Sequence, residues 1–230
     1  MPVNPSFKSS IPPGARPRIV RRHPSGAKER ADYLLAGAVV GYRLYDERGV
    51  LIFDCGLRHG KPHGIAWRLD EPGQVLSATP YKHGLEHGLA RQWSSDGRRR
   101  IGSYRMRNGT GIDLWWQETF TDPPRAYLAE VRFVAAGQLH GFEWWVNEDQ
   151  ISVYEERHWR HGQLHGIERE WTGNGALRRG FPRFFVAGER VTRRIYERAR
   201  AKDQSLPPYR AAEDRNRRTF PPEIARRLTP

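Results

Sequence analysis

The chain has a single cysteine, Cys55, in 230 residues, which excludes an internal disulfide framework and any cysteine-ligated zinc site. No apolar run approaches the roughly 18 residues that a membrane-spanning helix needs. The N-terminal stretch MPVNPSFKSSIPPGARPRIVRR lacks the apolar core of a secretory signal. A cytoplasmic protein without a membrane span is therefore expected. The signatures of common enzyme classes are missing as well. There is no G-x-x-x-x-G-K-[ST], no G-x-G-x-x-G between a strand and a helix, and no G-x-S-x-G elbow.

Acidic residues are few, 26 against 39 Lys and Arg, and the formal net charge is +13. The excess sits at the ends. Residues 1–30 carry seven Lys/Arg and one Glu, and residues 189–230 carry twelve against six, whereas residues 31–188 carry twenty against nineteen. A nearly neutral body thus lies between two basic flanks. Such flanks either solubilise the chain or contact a polyanion. Eight Trp, nine Tyr and nine Phe supply a core for a chain with 28% charged residues, because aromatic side chains bury the most area each.

What the chain has in quantity is a repeated phrase. YKHGLEHGLARQW (81–93) returns as WRHGQLHGIEREW (159–171). Gly60, Gly84, Gly109, Gly137, Gly162 and Gly188 follow one another at intervals of 24, 25, 28, 25 and 26 residues. A second glycine follows each of the first five, at Gly64, Gly88, Gly111, Gly141 and Gly166, and polar turns such as DERG (46–49), DEPG (70–73), SSDG (94–97) and TGNG (172–175) lie between phrases. The intervening runs, for example QVLSATPY and QISVYEERHW, are short and rich in β-branched and aromatic residues. They read as strands, and the glycines read as turn positions that need φ > 0. The pattern predicts an all-β, antiparallel hairpin repeat array of about six units over residues 31–191. A basic, Pro-rich arm (1–30) precedes it, and a basic segment with short helices (192–230) follows.

Side chains alternate along a strand. Counting from the second glycine, offsets one, three and five place Ile65, Trp67 and Leu69, or Phe142, Trp144 and Val146, on one apolar face. Offsets two and four form the opposite face, expected to be mixed and solvated. There Asp113 and Trp115, Glu143 and Trp145, and Glu168 and Glu170 fall in matching registers. Aromatic platforms beside carboxylates make this row the candidate binding surface for a sugar, a peptide or a cationic side chain. Paired carboxylates also permit a hydrolase, but no third residue orients a base, so no residue is assigned a catalytic role. Seven of the nine histidines precede glycine, and His59/His63, His83/His87 and His161/His165 have H-x-x-x-H spacing. That spacing marks a metal site on a helix. Here each pair straddles a turn, and neither a metal nor a cofactor is expected.

The phrase, an aromatic residue followed by G-x-x-x-G, an aromatic-rich strand and a DG or NG turn, resembles the MORN-repeat variant of YwqK-like antitoxins over residues 40–188. The resemblance implies a non-catalytic protein-binding surface in a bacterial toxin–antitoxin system, with a protein toxin as partner. The chain departs from a minimal array in its flanks and in an insertion, ETFTDPPRA (118–126). The alternatives are a nucleic-acid or polyanion binder using the Arg-rich flanks, and a hydrolase using the acidic row. Exposed edge strands also allow self-association. After the array, Thr192 is a helix N-cap for TRRIYERARA, KDQSLPPYRAAEDRNRRTF reads as a linker, and PPEIARRL (221–228) as a short helix that pads an open sheet face.

Overall fold

The computed structural model describes residues 6–70 and 73–228. It is a mostly antiparallel β-structure of hairpins with few short helices. Two compact units divide between Thr110 and Gly111. Among the described residues, no helix is long and apolar enough to cross a membrane.

The first unit holds β1 (Arg16–Arg22), β2 (Lys28–Leu35), β3 (Ala38–Tyr45), β4 (Leu51–Arg58), β5 (Lys61–Pro62), β6 (Gly64–Asp70), β7 (Gln74–Lys82), β8 (Leu85–Glu86), β9 (Gly88–Trp93) and β10 (Arg100–Arg107). The second holds β11 (Thr110–Glu118), β12 (Ala126–Ala135), β13 (Gln138–Val146), β14 (Val153–Arg160), β15 (Gln163–Leu164), β16 (Gly166–Glu170), β17 (Arg183–Val186) and β18 (Glu189–Val191). Helices α1 (Arg193–Arg200) and α2 (Pro222–Ala225) follow. Within each unit, successive long strands pair antiparallel, as in Tyr42↔Cys55 and Trp67↔Ala78 of the first unit or Val131↔Trp144 of the second.

The repeated phrase is a turn with two successive residues at positive φ, the backbone that matches the twist of two paired strands. His59-Gly60, His83-Gly84, Asn108-Gly109 and His161-Gly162 all adopt it. The other turn glycines singled out in the sequence, Gly64, Gly88, Gly111, Gly141 and Gly166, are also at positive φ. At Gly64, Gly88 and Gly166 the strand is interrupted, and the preceding histidine N–H donates back across the hairpin to Gly56, Pro80 or His158. A further turn of the first kind, Ala36-Gly37, lies upstream, and the polar turn at the other end of its hairpin is HPSG, where the Gly26 N–H donates to the His23 carbonyl. The hairpin pattern therefore begins at β1, inside the stretch whose composition reads as an arm.

Both flanks lie on their own sheets. In the first unit residues 7–11 cross the face that carries Gly41, Asp54, Gly56 and Trp67. Ser9 Oγ donates to the Asp54 carboxylate at 2.8 Å, Arg43 Nε donates to it at 2.8 Å, and Trp67 Nε1 donates to the Lys8 carbonyl at 2.9 Å. Glycine is required beneath this segment: a Cβ on Gly56 would stand 2.6 Å from the Ser10 carbonyl oxygen. In the second unit the C-terminal segment is not a loose linker. The Glu156 carboxylate is buried and accepts from Arg169 at 2.6 Å, Arg218 at 2.8 Å and Trp144 Nε1 at 2.7 Å. Phe220 packs edge-on against Trp144, and Trp171 Nε1 donates to the Asp214 carbonyl. Thr192 caps α1 by accepting from the Ile195 N–H, and α2 buries Ile224 completely.

Two outcomes follow for stability. Glu156→Ala leaves Arg218 buried without its carboxylate and leaves Arg169 to Asp214 and Glu213, and urea unfolding of the second unit should lose about 3–5 kcal/mol. Ala36 holds a left-handed backbone at φ 47° that asparagine tolerates better. Ala36→Asn should therefore raise the stability of the first unit in urea unfolding by up to about 1 kcal/mol, and Ala36→Val should lower it.

Candidate functional site

The six side chains singled out in the sequence lie on one sheet face of the second unit, interleaved with residues from the intervening strands. Strand register sets two rows. The first runs Asp113↔Arg132↔Glu143↔Arg157, and Glu168↔Arg183 continues it across β16 and β17. The second runs Trp115↔Glu130↔Trp145↔Glu155↔Glu170. Each arises because residues opposite one another in paired strands point to the same side.

The first row alternates in charge. Arg132 Nη2 contacts Asp113 Oδ2 at 2.6 Å, Arg157 Nε contacts Glu168 Oε1 at 3.2 Å, and Arg183 Nη1 contacts Glu168 Oε2 at 3.4 Å. Glu143 accepts from Trp159 Nε1 at 2.7 Å. In the second row Arg157 stacks over the Trp145 ring at 4.9 Å, and Trp115 and Trp145 are both half-buried. Arg157 also pairs with Glu155, and Arg178 with Glu170. Carboxylates outnumber guanidiniums on this face: Asp113, Glu130, Glu143, Glu155, Glu168 and Glu170 stand against Arg132, Arg157, Arg178 and Arg183. Asp113 Oδ1 is buried without a hydrogen-bond partner.

The expectation of a solvated face fails at offset two. Asp113, Glu143 and Glu168 are only 9%, 4% and 7% exposed, because long arginine and tryptophan side chains from neighbouring strands lie over these shorter acids. Burial has an electrostatic consequence. It pushes the carboxyl groups of Glu130, Glu143 and Glu155 above the usual carboxylate range, and the neighbouring arginines offset this only in part. Asp113 adds to the effect at Glu130, Glu130 at Glu143, and Glu170 and Glu168 at Glu155.

Reading only the strands after the glycines missed Glu130, Arg132, Glu155, Arg157 and Arg183. A signal for four of them was present: Glu130-Val-Arg132 and Glu155-Glu-Arg157 repeat one E-x-R spacing on strands that return toward the turn. The histidines of the H-x-x-x-H pairs do not gather as ligand sets. Rings of different turns meet instead, His63 with His83 at 5.5 Å and His140 with His161 at 4.9 Å. Cys55 is buried, and desolvation pushes its thiol up to about 11.

The fold and this face define a β-hairpin repeat protein with a surface of aromatic rings and paired charges. No protein-family model matches the chain, and neither a curated protein nor a solved structure is significantly similar to it.

Glu143→Gln keeps an acceptor for Trp159 and removes a charge whose burial is unfavourable. A carboxyl group with a raised folded-state pKa lowers stability while it is ionised, and that cost disappears as pH falls from the folded pKa to the unfolded one. The variant should therefore be more stable than the parent at pH 7, and the difference should shrink toward pH ~4.3. Urea unfolding across that range checks it.

Proposed function

We propose that the protein is a non-catalytic interaction module, and that the Trp115–Trp145 face of the second unit docks a basic segment of a partner protein. The observation that carries this reading is the second row, where two half-buried indoles alternate with Glu130, Glu155 and Glu170. Indole faces attract cationic side chains, and an excess of carboxylates selects for them. Burial disfavours the charged form of two of these carboxylates, Glu130 and Glu155, and a cationic guest would favour it. The row is continuous across strands fixed by backbone hydrogen bonds, so the surface is organised before the partner arrives.

The resemblance of the repeat to YwqK-like antitoxins supports a neutralising role against a protein toxin in the cytoplasm of a bacterium. The product of the neighbouring gene is then the first partner to assay. In titration calorimetry with that product, Trp145→Ala and Trp115→Ala should each weaken binding by about 2 kcal/mol, the scale of an interface hot spot. Circular dichroism should show both variants folded. Unchanged affinity in both would place the contact elsewhere. Turnover of a substrate that disappears in Glu143→Gln would instead support the hydrolase reading.

A polyanion-binding role has its own support in β1, which exposes every one of its residues and carries Arg16, Arg18, Arg21 and Arg22. Under that reading, binding to mixed-sequence nucleic acid falls steeply with salt, and Arg16→Ala combined with Arg18→Ala reduces the slope.

A further inference from the structure

The second unit contains a concavity that the docking face does not explain. Its volume is about 470 Å³, and its lining is Pro182, Arg183, Phe184, Arg190, Val191, Thr192 and Arg193. Three guanidiniums and no carboxylate border it. Arg190 is exposed and makes no ion pair among the described residues. Arg193 lies over the ring of Tyr209 at 4.1 Å and makes no ion pair among the described residues. Arg183 pairs with Glu168 through Nη1 and lies over the Phe181 ring at 4.1 Å.

We propose that this cavity binds a small phosphomonoester. Guanidinium groups suit phosphate because their paired N–H groups match two of its oxygens. The first turn of α1 adds to the field: it contains no acidic residue, and Thr192 caps it through its own side chain, leaving the Arg193 and Arg194 N–H groups at the positive end of an eight-residue helix. Phe184, Val191 and Pro182 supply an apolar wall for the organic part of the ligand. The volume falls within the range of small-molecule sites, roughly 300–1,000 Å³. Arg183 also closes the charge ladder, but Arg190 and Arg193 do not belong to it, so the inference stands apart from the partner-binding reading.

The test is titration of the full chain with inorganic phosphate and with phenyl phosphate, followed by calorimetry and by amide chemical shifts. Both ligands should bind, phenyl phosphate more tightly because it covers the apolar wall. Shifts should concentrate on residues 182–184 and 190–195. Arg190→Ala and Arg193→Ala should each weaken phenyl phosphate binding by about tenfold or more, the worth of one charge-assisted hydrogen bond. Arg105→Ala, exposed on β10, should leave it unchanged. Failure of the parent chain to bind either ligand overturns the proposal. So does a loss in Arg105→Ala equal to that in Arg190→Ala, which would mark general attraction to a basic chain. Phenyl phosphate binding that survives in the Arg190→Ala, Arg193→Ala double variant overturns it as well.

Discussion

One buried carboxylate in each unit holds a terminal flank against its sheet. Glu156 binds Arg169 and Arg218 while accepting from Trp144, and Asp54 binds Arg43 while accepting from Ser9. The two positions correspond in register: Asp54 lies opposite Trp67 on β6, and Glu156 lies opposite Arg169 on β16. An ionised group so deeply buried persists only with its partners in place. Each flank brings one of those partners, so losing the flank takes a donor from the carboxylate and uncovers the sheet face around it. The hairpin array and its terminal segments are therefore one energetic system within each unit, although composition divides them.

This arrangement also explains how a chain with 28% charged residues builds cores at all. A hairpin sheet has two faces, and each needs a cover. In the first unit Phe7 packs edge-on against Trp67, beside a cluster of Leu69, Val75, Ala78 and Trp93. In the second, Tyr196 and Leu206 join Ile167 and Phe184, and Phe220 joins Trp144. The opposite face of the second unit is covered by its own long side chains, which pair across strands. Such a ladder exchanges some stability for fixed geometry, as the raised carboxyl groups of Glu130, Glu143 and Glu155 indicate. A surface of that kind suits recognition because its rings and charges are already placed.

Glycine spacing alone made the strands, the turns and the antiparallel pairing legible, because φ > 0 at two successive turn positions is a local requirement that few residues meet. Gly37 lies one repeat interval before Gly60, but the Pro- and Arg-rich composition around β1 masked the first hairpin as an arm. Thr192 and Ile224 were legible for a related reason, since capping and amphipathic placement are properties of a few adjacent residues.

The sequence by itself determined the repeat, its turn chemistry and the set of residues that share each strand face. Only the tertiary structure decided which strand lies opposite which, and hence that Arg132 stands between Asp113 and Glu143, and Glu130 between the two tryptophans. It also decided that the basic ends are structural parts of the units. Alternation along a strand is fixed by bond geometry. Cross-strand neighbours and buried ion pairs join residues as far apart as Glu156 and Arg218, and nothing local to either residue records the other.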